Sequence, residues 1–181
     1  MTDMVEVVID SIRVSLMSQQ RIVILREVDD ERYLPIWIGT PEADSITLAL
    51  QEVEVARPLT HDLLKNIFTS LDARVLRVEV VALRDDTFYG NIVAELNGRT
   101  VNIDSRPSDA LALAVRTHVP IMVTRSVMDS AGIIPEEDMQ EEEEILEAPE
   151  VGSERLSVFE DFLENLGEDP DEEDEDDEDE D

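Results

Sequence analysis

Cysteine is absent from this chain of 181 residues. That excludes a disulfide scaffold, an iron–sulfur centre, a thiolate zinc site and a thiol mechanism. Histidine occurs twice, too seldom for a His-rich zinc site, and aromatic residues make up 4% of the chain. Basic side chains are scarce: 14 against 46 acidic ones, a formal net charge of −32, with Lys65 the sole lysine. No apolar run approaches the ~20 residues that span a bilayer, so no membrane segment is expected. The start, Met1-Thr2-Asp3-Met4-Val5-Glu6, is acidic and lacks the basic-then-apolar plan of a signal peptide. These features predict a cytoplasmic protein. Neither a Gly-x-Gly-x-x-Gly nor a Gly-x-x-x-x-Gly-Lys loop is present, and no serine has a nucleophile-elbow context.

What is present is unevenly distributed. Residues 1–133 hold 20 acidic and 13 basic side chains, whereas 134–181 hold 26 acidic ones and a single base, Arg155. The low isoelectric point therefore belongs mostly to the end of the chain. Residues 1–133 read as a mildly acidic domain, and 134–152, charged and bounded by prolines, read as an acidic linker. Residues 153–167 form a short amphipathic helix in this reading, with Leu156, Phe159, Leu163 and Leu166 at helical spacing. The segment 168–181, almost wholly Asp and Glu, is expected to be a disordered acidic tail.

Within the domain, β-like segments are expected at Val5–Leu16, Arg21–Val28 and Arg32–Ile38. A helix follows from Pro41 to about Val53 with Thr40 as cap, its Ile46, Ala49, Leu50 and Val53 on one apolar face. A second helix begins near Thr60, with Leu63, Leu64, Ile67, Phe68 and Leu71 inward. Strands then recur at Arg74–Leu83, Phe88–Leu96 and Arg99–Asp104, the last pair joined by the hairpin signal Asn97-Gly98. A helix from Pro107 to Thr117 and a strand at Ile121–Thr124 complete the pattern. Asp44–Leu50 aligns with Asp109–Val115, and Ile36-Trp37-Ile38 aligns with Val101-Asn102-Ile103 at the same offset. The fold class expected is α+β, with duplicated strand-strand-strand-helix units forming a mixed, largely antiparallel sheet packed with helices. Trp37, in an apolar strand, is expected in the core, and His118, in a His-Val-Pro turn, at the surface.

Polar residues gather where strands hand over to helices: Pro35-Ile36-Trp37-Ile38-Gly39-Thr40-Pro41-Glu42-Ala43, Arg57-Pro58-Leu59-Thr60-His61-Asp62-Leu63, and Asp104-Ser105-Arg106-Pro107-Ser108-Asp109-Ala110. In these three ordered blocks the chain resembles the bifunctional nuclease domain family. The resemblance implies hydrolysis of both DNA and RNA, with catalytic roles for Glu42, His61, Asp62, Asp104 and Asp109. It further implies phosphate binding by Arg57, Arg106 and Ser108, and a divalent cation, Mg or Mn, on Glu42, Asp62 and Asp109. Hard oxygen ligands suit such an ion, bidentate arginine suits phosphate, and histidine suits proton transfer near neutrality. Glu42, Asp62 and Asp109 are also favoured in first helical turns by the helix dipole alone, and the alternative role of Arg106 is to pair with Asp104 or Glu42 and neutralise a partly buried junction.

Charge weighs against a nuclease, because non-specific nucleic-acid binding rests on Lys and Arg. The arginines that could form a local patch are Arg57, Arg74, Arg77, Arg84, Arg106 and Arg116. The alternative is a non-catalytic binding or regulatory domain whose acidic tail engages a basic protein partner or mimics nucleic acid. Long strand edges are compatible with a homo-oligomer.

Overall fold

The computed structural model describes residues 3–15 and 20–134, and the expected linker beyond Ile134, the helix 153–167 and the tail 168–181 lie outside the described residues. The elements run β1 (Met4–Val14), β2 (Arg21–Glu27), β3 (Tyr33–Ile38), α1 (Thr40–Leu50), α2 (Thr60–Ser70), β4 (Arg74–Arg84), β5 (Thr87–Leu96), β6 (Arg99–Ser105), α3 (Pro107–Thr117), β7 (Ile121–Thr124) and α4 (Arg125–Ala131). No helix among the described residues is long and apolar enough to cross a membrane.

The seven strands form one sheet in the order β3-β2-β1-β7-β4-β5-β6. Every pairing is antiparallel except β4 with β7. The duplication is therefore laid out in space: each unit places its first strand beside the central β7 and its third at an edge. Each then sends a helix, α1 or α3, off the edge strand. The hairpin residues Asn97 and Gly98 both have positive φ, 51° and 71°, the conformation a two-residue turn of this type requires. Period-two alternation fills one face of the sheet, with Val5 and Val7 of β1, Val23 and Leu25 of β2, and Leu34 and Ile36 of β3 all buried.

Helix α3 is the centre of the helical layer. Ala110 through Ala114 are all buried, because α1, α2, β4 and β5 pack around it. The small alanines let these neighbours approach closely. On its flanks the helices are less covered than their apolar patterns suggest. In α1, Ala43, Ser45 and Ile46 are buried, whereas Leu50 and Val53 are exposed and the helix stops at Leu50. In α2, Leu64 and Phe68 pack on the core while Leu63, Ile67 and Leu71 face outward. That helix touches the core along one edge only, the edge bearing His61. The caps differ too: the N-cap positions are Gly39 and Leu59, not Thr40 and Thr60, which are the first helical residues. Helix α4, which was not expected from the sequence although Thr124 stands at its N-cap, adds buried Val127 and Met128.

Candidate active site

Three helices begin in one region, and each begins with one of the motif blocks. Pro41 and Pro107 sit in the first turns of α1 and α3, where their missing N–H costs nothing and their fixed φ favours helix entry. The proline ring also disfavours helical geometry in the residue before it. Arg106 accordingly is extended, with φ −69° and ψ 145°. From that position its guanidinium spans two helices. Nε donates to Asp109 Oδ2 at 2.7 Å and Nη2 to Asp109 Oδ1 at 3.0 Å, a bidentate pair within α3. Nη2 also donates to Glu42 Oε1 of α1 at 2.8 Å. The Arg106 side chain remains 65% exposed, against 15% for Glu42.

His61, in the first turn of α2, extends this chain of contacts inward. Its Nε2 lies 3.2 Å from Asp109 Oδ1 and its Nδ1 2.9 Å from Ser45 Oγ. An ionised carboxylate only accepts, so in the neutral ring Nε2 carries the hydrogen and Nδ1 accepts from the Ser45 hydroxyl. Burial opposes ionisation of Asp109, but hydrogen bonds from Arg106 and His61, together with the Arg106 charge, outweigh it and hold the carboxyl below the ordinary value. The same carboxylates raise the Arg106 guanidinium further above its usual range. A cleft of about 510 Å³ is lined by Glu42, Ser45, His61, Arg106 and Asp109.

Asp62 belongs to a separate pair. Arg116, in the last turn of α3, donates from Nε to Asp62 Oδ1 at 2.6 Å, from Nη1 to the Ala112 carbonyl at 2.8 Å and from Nη2 to the Ser45 carbonyl at 3.2 Å. The other Asp62 oxygen accepts the Leu59 N–H at 2.9 Å, closing the start of α2. Burial raises the Asp62 pKa, and the hydrogen bonds from Arg116 and Leu59 more than reverse that. Arg116 thus ties α2 to α1 and keeps His61 beside Ser45.

The structure gathers Glu42, His61, Arg106 and Asp109 and leaves the other candidates apart. Ser108, buried, lines a neighbouring cleft with Arg106. Arg57 is exposed in the α1–α2 loop, and Asp104 is exposed on β6; neither has a side-chain partner among the described residues. Of the arginines expected to form a patch, Arg106 and Arg116 are taken up in the pairs described above, and three others have local partners. Arg77 pairs with Glu79 at 2.7 Å, Arg74 with Glu95 at 3.8 Å, and Arg84 lies over Tyr89 at 5.3 Å. Ser45 and Arg116 complete the site, yet neither lies in a motif block; their partners are 16 and 54 residues away in sequence. The only local signal for Ser45 was its place one turn after Glu42 on α1.

A divalent cation on Glu42, Asp62 and Asp109 does not fit this arrangement. Asp62 is committed to Arg116, and the Arg106 guanidinium bridges Glu42 and Asp109 where an ion would need their oxygens. Among the described residues no group of three or more His, Asp or Glu side chains converges to hold a metal.

The bifunctional nuclease domain family matches residues 23–136. An uncharacterized protein of Mycobacterium tuberculosis is 38% identical over 164 residues, covering 91% of this chain and 96% of its own length. Bifunctional nuclease 2 of Oryza sativa subsp. japonica is 30% identical over 118 residues, 64% of this chain and 36% of that protein. Bifunctional nuclease 1 of Arabidopsis thaliana is 27% identical over 103 residues, 55% of this chain and 32% of its own.

Proposed function

Because the chain belongs to the bifunctional nuclease domain family, we propose that it hydrolyses phosphodiester bonds of nucleic acid, DNA and RNA alike, at the cleft between the three helix starts. The observation that carries this reading is the unbroken hydrogen-bonded chain Ser45–His61–Asp109–Arg106–Glu42, which joins all three motif blocks. A phosphodiester needs positive charge on its oxygens and an acceptor for the proton of the attacking water. Arg106 supplies the first. Its Nε and Nη2 are held by carboxylates, which orient the fork, while Nη1 has no partner among the described residues and keeps two N–H donors for phosphate.

The proton acceptor is His61. Water in the cleft gives its proton to Ser45 Oγ as Ser45 gives its own to His61 Nδ1. The hydroxide so formed makes the new P–O bond, the ester P–O bond breaks, and the departing oxygen takes a proton from solvent, to which the His61 imidazolium then returns the one it accepted. Asp109 steadies the imidazolium that results, because Nε2–H already points at its ionised oxygen.

The test uses the full chain and short single-stranded DNA and RNA substrates. His61→Gln should slow hydrolysis by ~10²–10⁴-fold, the range of a general-base contribution, with a cooperative melt retained. Ser45→Ala should do the same. Hydrolysis by His61→Gln at the wild-type rate would assign the activity to another site. Absence of hydrolysis by the wild type would favour the non-catalytic binding domain, a reading to which the acidic surroundings of Arg106 lend weight.

A further inference from the structure

Trp37 is the one tryptophan of the chain, and the structure does not bury it. On β3, Leu34 and Ile36 point into the core and are 0% and 2% exposed, whereas Trp37 lies on the alternate face and is 56% exposed. The strand is an edge of the sheet. An indole left half in water on an apolar strand forgoes much of the burial that usually decides the position of tryptophan.

The surroundings suit one kind of ligand. Trp37 lines a cleft of about 560 Å³ together with Phe88, Thr87, Arg106 and Ser108. Arg106 lines this cleft and the active-site cleft alike. Its Nη1, without a partner among the described residues, and the first turn of α3 at Ser108, whose N–H groups have no helical acceptor, therefore stand beside an aromatic surface. A flat apolar face next to phosphate donors matches the two halves of a nucleotide.

We infer that Trp37 is a stacking platform for one unpaired nucleobase, placed so that the adjoining phosphate reaches Arg106. The inference rests on the nuclease reading for its choice of ligand and names the substrate class of that site: single-stranded nucleic acid. A base inside a duplex has its faces covered by its neighbours and is not available to the indole. Among the described residues Arg106 is the one basic side chain lining this cleft, so the binding derives more from stacking than from charge. The salt dependence follows: one neutralised phosphate of a single strand gives a slope of about −0.7 in log affinity against log salt, far shallower than a basic groove.

Because Trp37 is the sole tryptophan, its fluorescence reports on the subsite directly. The full-length protein carrying His61→Gln, which leaves the oligonucleotide intact, is titrated with a short single-stranded oligodeoxyadenylate. Saturable quenching is expected with the single strand, and none with the same sequence as a duplex or with inorganic phosphate. By anisotropy of a labelled oligonucleotide, Trp37→Ala should weaken binding ~5- to 150-fold, the equivalent of ~1–3 kcal/mol for one stacked base, while Trp37→Phe should lose much less. A wild type that binds and quenches without hydrolysing would remove the catalytic reading and leave the platform standing. Oligonucleotide binding with no quenching, equal affinity in Trp37→Ala, or equal quenching by duplex would overturn it. A blue shift that grows with protein concentration in the absence of nucleic acid would also overturn it, by assigning the indole to a contact between copies of the chain.

Discussion

Removing Arg116 tests whether Asp62 acts through a buried pair. Arg116 is 8% exposed and makes three hydrogen bonds, to the Asp62 carboxylate and the Ala112 and Ser45 carbonyls. Arg116→Met keeps most of the aliphatic stem and removes every donor. Breaking a fully buried ion pair from one side costs ~3–5 kcal/mol. The Asp62 side chain is 29% exposed, so water recovers part of that. The Ser45 carbonyl loses a buried donor worth ~1–3 kcal/mol. Together these place the loss at ~3–6 kcal/mol, or roughly 10–20 °C in melting temperature for a domain of this size. Urea unfolding of the full chain measures it. The cycle is closed with Asp62→Asn, which leaves no stranded carboxylate, and a coupling of ~1–2 kcal/mol is expected between the two sites. A loss below ~1 kcal/mol for Arg116→Met, or strict additivity, would refute the view that this pair locks α2 against α1.

Three further outcomes follow from the same geometry. Asp109 and Asp62 have depressed pKa values in the folded state, so the unfolded chain binds protons first as pH falls. The stability they contribute is present above the ordinary carboxylate pKa and is lost as pH drops through the folded values; Asp62→Asn should flatten stability against pH below about pH 4. Hydrolysis should survive an excess of EDTA, since Arg106 stands between Glu42 and Asp109, and loss on chelation with recovery on adding Mg²⁺ would show that the guanidinium gives way to an ion. Gly90→Ala should cost ~1–3 kcal/mol and lower activity with it. A Cβ there would meet Pro107 N and Ser105 O at 2.9 Å and Arg106 C at 3.0 Å, all backbone atoms of the segment that aims Arg106.

Local chemistry made much of the fold legible. The Asn97-Gly98 turn needs left-handed residues and has them, and Pro107 starts a helix that ends at Thr117 as its pattern indicates. The repeated order of strands and helix was visible as two aligned blocks, and the sheet places those units on either side of β7. What escaped was set by distant partners. Leu63, Ile67 and Leu71 look inward on a helical wheel, but how much of α2 is covered depends on where α3 lies, a matter of tertiary packing. Trp37 reads as core because its neighbours are, yet an edge strand leaves one face open. Within the site, the blocks gave Glu42, His61, Arg106 and Asp109. The pairing of Asp62 with Arg116, and of His61 with Ser45, spans helices and carries no local periodic mark.

Asp109→Asn separates a catalytic carboxylate from a purely structural one at the centre of the site. The substitution keeps the shape of the side chain while removing the charge that holds Arg106 at 2.7 Å and faces His61 Nε2 at 3.2 Å. Single-turnover hydrolysis of a single-stranded oligonucleotide and a thermal melt are recorded on the same full-length preparation. If Asp109 orients Arg106 and steadies the His61 imidazolium, the rate falls by two or more orders of magnitude (~10²-fold or more, as for a lost proton-transfer partner) with a melting temperature only a few degrees down. A wild-type rate together with a clearly lowered melting temperature would contradict that role, because Asp109 would then be a helix-start acid and nothing more.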